Sequence, residues 1–245
     1  MNQNFRVKKS SDLHYLPNSN MHPSDTYFHF SFANYYDPTN MNFGLLRVLN
    51  DDAIVPHTGF DKHPHKDMQI VSYIVAGELT HWDNLTKQQE TIGPGHVQAI
   101  SAGSGVWHSE KNLGEEACRI LQIWILPPYA GGEVRYTNKK FEPAERENQL
   151  LHIVGNPFNK EHVPLYINSD ANIYVSEITD REAQVEFTLA PNRQAYINCI
   201  EGAVSIEGYA ELDTRDSLEI NQPDTLTFSS SGSKTHFIIV EMAKP

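Results

Sequence analysis

The stretch Gln69-Ile70-Val71-Ser72-Tyr73-Ile74-Val75, then Ala76-Gly77-Glu78, then Leu79-Thr80-His81-Trp82, decides how the chain is read. Its first segment is rich in β-branched and aromatic residues, which suit a pleated, buried surface. A glycine follows, and a second β-rich run starts two residues later. The pattern is strand, tight turn, strand. The same texture returns in Arg119-Ile120-Leu121-Gln122-Ile123-Trp124-Ile125-Leu126 and in Thr235-His236-Phe237-Ile238-Ile239-Val240. Turn signals recur roughly every 8–12 residues and few segments carry a helical period, so an all-β chain of short strands is expected. The one candidate helix lies around Pro143 to Gln149.

The 245 residues fit two domains of about 100–150 residues or one large all-β domain, and either can bury a core. Pro127-Pro128-Tyr129-Ala130-Gly131-Gly132 breaks the β texture, and Glu133 to Asn148 is polar and charged. We read that segment as a linker and divide the chain into 1–132 and 133–245. The halves carry a faint repeat. Tyr73-Ile74-Val75-Ala76-Gly77-Glu78-Leu79 resembles Asn198-Cys199-Ile200-Glu201-Gly202-Ala203-Val204, at an offset of 125 residues. Gly105-Val106-Trp107-His108 resembles Gly232-Ser233-Lys234-Thr235-His236, with the histidines 128 apart. Duplication of one barrel produces such a pattern, and so does chance, because strand–glycine–strand is common in β proteins.

Charge and hydropathy exclude several classes. The net charge of -12 repels phosphate backbones, so direct nucleic-acid binding is not expected. No apolar run approaches the ~20 residues of a membrane span. The basic start, Met1 to Lys9, leads into no apolar stretch, so no signal peptide is read. Cys118 and Cys199 lie in apolar strand-like runs and read as buried free thiols, not as a disulfide framework. A cytoplasmic protein is expected.

The arrangement of the 12 histidines carries the chemistry. In Gly59-Phe60-Asp61-Lys62-His63-Pro64-His65, two histidines stand at i and i+2. Residues two apart in a strand share a face, so both imidazoles can converge on one ion. Pro64 biases His63 towards extended backbone. His108-Ser109-Glu110 is a second such pair, offering an imidazole and a carboxylate after the glycine-rich bend Ala102-Gly103-Ser104-Gly105. Three nitrogens and one carboxylate suit iron, nickel, copper, manganese or zinc better than magnesium or calcium. A lone strand histidine is more often a packing residue; two pairs together favour one divalent metal ion held by His63, His65, His108 and Glu110. His81 with Asp83 reads as a solvated hairpin pair, and His57 and His96 as ordinary polar residues near the motifs. Phe60, Trp107 and Tyr73 are candidate liners of a pocket.

These motifs resemble the two cupin motifs, and the first half resembles the pirin family. The residues that carry the likeness are Phe43 to Asp52, His63-Pro64-His65-Lys66-Asp67-Met68-Gln69, Gly93-Pro94-Gly95-His96-Val97-Gln98 and Ala102 to Glu110. The likeness is specific from about Gly44 to Pro128 and weakens beyond. It implies a bicupin, two tandem jelly-roll cupin β-barrels: 1–132 binding metal, 133–245 a metal-free cupin-like barrel. It also implies that the same four residues are the ligands and that the metal is iron (Fe2+) first, with nickel, copper, manganese or zinc as alternatives. The activity it implies is that of a quercetin 2,3-dioxygenase acting on a small planar aromatic substrate, with Glu110 accepting a proton as its catalytic residue. The alternative is a non-catalytic, redox-responsive regulator with a protein partner. Gln69 stands where many relatives carry glutamate. In the second half, the 125-residue offset carries His63 and His65 onto Thr188 and Ala190, with His236 near the position of His108.

Overall fold

Burial along Gln69–Ala76 accounts for its texture. Val71 and Tyr73 on one face join the core between the two halves, while Ile70, Ser72 and Ile74 on the other face the interior of the first half. A strand covered on both faces reads as a near-continuous apolar run. The computed structural model describes residues 4–156, 158 and 162–244. It is all-β apart from two single-turn 3-10 helices, Ser10–Asp12 and Pro143–Glu145, the latter all that forms of the expected helix. Among the described residues no helix is long and apolar enough to cross a membrane.

Each half is a seven-stranded sheet facing a four-stranded one. In the first, the large sheet runs Arg135–Lys140, His96–Ser101, Gln69–Ala76, Cys118–Ile125, Leu46–Ile54, Ser24–Phe28, His14–Leu16. The small sheet runs Thr58–His65, Val106–Asn112, Leu79–Asp83, Gln89–Ile92. These are the two jelly-roll units expected, each built of open sheets and not closed into a barrel. The two large sheets pack on each other through one shared core, with Leu49, Val71, Tyr73 and Leu121 meeting Ile173, Val175, Tyr196 and Ile238. Polar contacts cross the same interface: the Arg215 guanidinium donates to Asp51, and that of Arg119 to the Ile200 carbonyl and to Glu201.

The expected division at 132 and 133 is crossed twice. Phe5–Lys8 pairs with Ser217–Ile220 and so edges the large sheet of the second sandwich. Arg135–Lys140, read as part of a linker, pairs with His96–Ser101 in the first. An edge strand needs backbone partners on one side only and tolerates polar side chains, so its composition resembles a loop's.

Pairing registers identify the equivalent positions of the two halves. Gly77 and Gly202 end equivalent strands with φ of 72° and 78°. A Cβ there would lie 2.5 Å from the Ala117 carbonyl oxygen and 2.1 Å from that of Lys234. Ala76 pairs with Arg119, and Glu201 pairs with His236. His236 therefore matches Arg119, not His108 as the 128-residue spacing suggested. In the small sheets, His81 pairs with Glu110 where Ile206 pairs with Phe228. Following these ladders, Phe187, Leu189, Leu226 and Phe228 match His63, His65, His108 and Glu110. The expected matches Thr188 and Ala190 are each one residue off. A constant offset fails because turns between the strands differ in length.

Candidate metal centre

His63 and His65 stand at i and i+2 on Thr58–His65, and His108 lies directly across the ladder from His63. The ring centroids lie 4.5–4.8 Å apart. His63 Nε2 and His108 Nε2 are 3.0 Å apart, and one donor nitrogen of each of the three histidines lies within 4.8 Å of the others. Burial pushes His65 down to about 3, with His108 and His63 adding to the effect and Glu110 opposing it. Burial likewise pushes His108 down to about 3, helped by His63 and His81 and opposed by Asp83. Both imidazoles are thus neutral at pH 7, the form that binds a metal. Three imidazoles with a ring nitrogen each drawn this close together fit a shared borderline cation.

Glu110 stands two residues beyond His108 on the same strand, Val106–Asn112. Its carboxylate is 2% exposed and held from the large sheet. Gln98 Nε2 donates to Oε1 at 2.9 Å, Gln122 Nε2 to Oε2 at 3.0 Å, and Ser72 Oγ to Oε1 at 3.4 Å. It groups with His81 and His108, not with the other two histidines. A register shift between His108 and Glu110 separates the pair along the ladder. His81 and Asp83 are each 1% exposed, not solvated, with His81 Nε2 2.8 Å from Asp83 Oδ2. Their strand, Leu79–Asp83, is interior to its sheet, and Tyr136 stacks on the His81 ring at 4.4 Å. His81 therefore packs behind His108. Gln69 Oε1 accepts hydrogen bonds from Ser101 and from the Asn168 backbone, so its amide is engaged away from the histidines.

Beside the histidines lies a cavity of about 70 Å³. Phe28, Phe32, Phe60 and Trp124 supply its apolar wall, and Asn50, Asp52 and Gln122 its polar floor. It opens past His22 and Phe32 into a cleft of about 840 Å³. Of the three expected liners only Phe60 takes part. Trp107 is half exposed, and Tyr73 is buried in the interface with its hydroxyl 2.9 Å from His236 Nε2. Asn50 and Asp52 were missed, although polar residues inside the otherwise apolar strand Leu46–Ile54 were a usable signal.

A pirin family model matches residues 10–125, and a model of the quercetinase C-terminal cupin domain matches residues 157–242. A pirin-like protein of Caulobacter vibrioides is 40% identical over 202 residues, 82% of this chain and 85% of the relative. A quercetin 2,3-dioxygenase of Escherichia coli is 36% identical over 197 residues, covering 80% of this chain and 82% of its own. Among solved structures, a bacterial pirin of Escherichia coli in complex with nickel(II) superposes with a TM-score of 0.88 at 30% identity, covering 98% of this chain and 100% of that one. A quercetin 2,3-dioxygenase of Acinetobacter baumannii, at 14% identity and a TM-score of 0.79 over 99% of this chain and 80% of its own, shares the fold. Sequence identity, coverage at both ends of the chain and the two-sandwich architecture agree: this chain is a member of the pirin family.

Proposed function

We propose that the chain is a metal-dependent dioxygenase that opens a planar hydroxylated aromatic of the flavonol class, quercetin being the test substrate. The observation that carries this reading is a group of three histidines, two of them neutral and one of those fully buried, beside an aromatic-walled cavity open to a wide cleft. Small-molecule sites are concave and mostly apolar, with a few convergent polar groups. The similarity to proteins named quercetin 2,3-dioxygenase supports the same reading. In it, His63, His65 and His108 hold one divalent ion, iron first and nickel next, and Glu110 completes the donor set. A bound ion supplies Lewis acidity towards a substrate oxygen. The chain's own part is to orient and shield. Phe28, Phe32, Phe60 and Trp124 clamp the ring and exclude water, while Gln98 and Gln122 fix Glu110. Both atoms of dioxygen enter the product, and carbon monoxide leaves.

The test is aerobic turnover of quercetin by protein loaded in turn with iron, nickel, copper and manganese, with the metal content of protein purified without additions measured alongside. We expect turnover with at least one metal and its loss in His63→Ala. No turnover with any metal, or equal rates in His63→Ala, overturns the reading.

A further inference from the structure

Asn50 and Asp52 stand at i and i+2 on Leu46–Ile54 and share the face that forms the cavity floor. They are only 3% and 4% exposed. Asn50 Oδ1 has no hydrogen-bond partner among the described residues. Asp52 Oδ1 accepts from Ser24 Oγ at 3.1 Å and from Thr26 Oγ1, while its Oδ2 accepts no hydrogen bond from the described residues. The floor therefore presents two acceptors that lack a protein donor. Buried acceptors of this kind call for a ligand that brings O–H groups. Glu110 is less free to serve, because Gln98 and Gln122 tie down both of its oxygens.

A route to solvent begins at the same carboxylate. Thr26 Oγ1 lies 2.9 Å from His22 Nε2, and Ser24 Oγ lies 3.3 Å from it. Both hydroxyls thus bridge Asp52 and His22, and His22 lines both the cavity and the outer cleft. We propose that Asp52 is the proton-accepting residue of this pocket, taking the proton of a substrate hydroxyl and passing it through Thr26 or Ser24 to His22 at the mouth. The inference rests on reading the cavity as a site for a hydroxylated aromatic.

The steps balance without an oxidant. The ligand O–H bond breaks, an Asp52 O–H bond forms, and the ligand is left as an oxyanion. The Asp52 carboxyl then turns to bring its new O–H onto the Thr26 oxygen, Thr26 turns its own O–H from Asp52 to His22 Nε2, and Asp52 gives its proton to Thr26 as Thr26 gives its own to His22. Asp52 is again a carboxylate, and the His22 imidazolium releases a proton to the cleft. Burial pushes the Asp52 carboxyl up to about 7; the Thr26 and Ser24 hydroxyls oppose this, and the Asp51 and Glu110 charges add to it. Such a value suits a base working near neutrality. Glu110 and the histidines face Asp52 across the cavity, and His22 lies beyond the hydroxyls. From Cys118–Ile125 it meets the uncharged Ile120 and Gln122.

The test uses 4-nitrocatechol, whose visible absorption distinguishes its neutral form from its anion, with the full chain both metal-free and nickel-loaded. We expect wild type to bind it as the anion. In Asp52→Asn the midpoint for anion formation should rise by about one pH unit or more, at unchanged metal content, and Asp52→Glu should recover part of the shift. Thr26→Val retains the carboxylate and covers the case in which Asp52→Asn does not fold. In it, pH-jump formation of the bound anion should slow by at least about tenfold. An unshifted midpoint in Asp52→Asn, an unchanged rate in Thr26→Val, a shift in Glu110→Gln instead, or no binding by wild type each overturns the proposal. Absence of quercetin turnover in every metal form sinks the dioxygenase reading, while the nitrocatechol titration still decides Asp52.

Discussion

Phe187, Leu189, Leu226 and Phe228 occupy, in the second sandwich, the register positions that His63, His65, His108 and Glu110 occupy in the first. With twelve other buried apolar residues they form one continuous cluster of sixteen. The interior of the first sandwich is split into two, six residues around Ile54 and Ile120 and four around Ile70 and Ile100. Ser72, Gln98, Gln122 and the histidines lie between them. One topology thus serves two ends. The second half puts its interior into cohesion, at about 1.5–3 kcal/mol for each large side chain buried. The first gives up part of that cohesion for a polar layer. It can do so because its outer face shares the inter-sheet core with the second half.

The sharpest way to break this comparison is to move a residue from one half to the other. His108→Leu installs the second sandwich's residue in the first, and we expect near-stoichiometric metal to fall to almost none by elemental analysis. Its metal-free form should unfold at equal or higher stability, by up to about 2 kcal/mol. The substitution removes His108 Nδ1, a buried atom without a hydrogen-bond partner among the described residues. Retained metal would mean that His108 is not a ligand.

The converse change is Phe228→Ala. It should cost about 3–5 kcal/mol in denaturant unfolding while the metal content stays unchanged. Smaller effects are expected at the turns that align the halves. Gly77→Ala and Gly202→Ala each force a side chain into positive φ against a carbonyl and should cost roughly 1–3 kcal/mol, Gly202→Ala the more. Equal stability of both variants to wild type would undo the structural equivalence of the two turns.

Protons discriminate the halves more gently. The depressed His65 and His108 remain neutral in the folded metal-free protein down to about pH 3, whereas in the unfolded chain they take up protons below about pH 6.5. The unfolded state then binds more protons, so this stability is complete above about 6.5 and is lost as the pH falls towards 3. The slope is roughly 1 kcal/mol per pH unit for each histidine. His236, pushed down to about 3 by burial and Arg146 against the opposing Glu177, contributes in the same direction from the second half. Urea unfolding across this range should flatten in His108→Leu, and an unchanged slope would remove His108 from the account. The smallest effect belongs to the exposed Lys111–Asp61 pair beside the site, where Lys111→Ala should change stability by no more than about 0.5 kcal/mol.

The strand content, the duplication and the histidine triad were legible because their signals are local. Period-two alternation puts His63 and His65 on one face whatever surrounds them. The partners of the triad were less legible. Glu110 shares a face with His108 by spacing, yet a register shift and three donors on the large sheet hold it apart from His63 and His65. His81 looked like a surface residue because the depth of its strand depends on Gln89–Ile92 covering its open edge.

By itself the sequence determined an all-β chain, two related halves, a family and three converging imidazoles, since residue type and short spacing suffice for each. The tertiary structure alone decided that Phe5–Lys8 belongs to the second sandwich and Arg135–Lys140 to the first. It also decided that His236 stands in register with Arg119, and that Asn50 and Asp52 form the floor beside the triad. Each of these depends on pairing between strands far apart in the chain. A shift of one residue in such pairing turns every side chain to the other face, and local sequence does not record it.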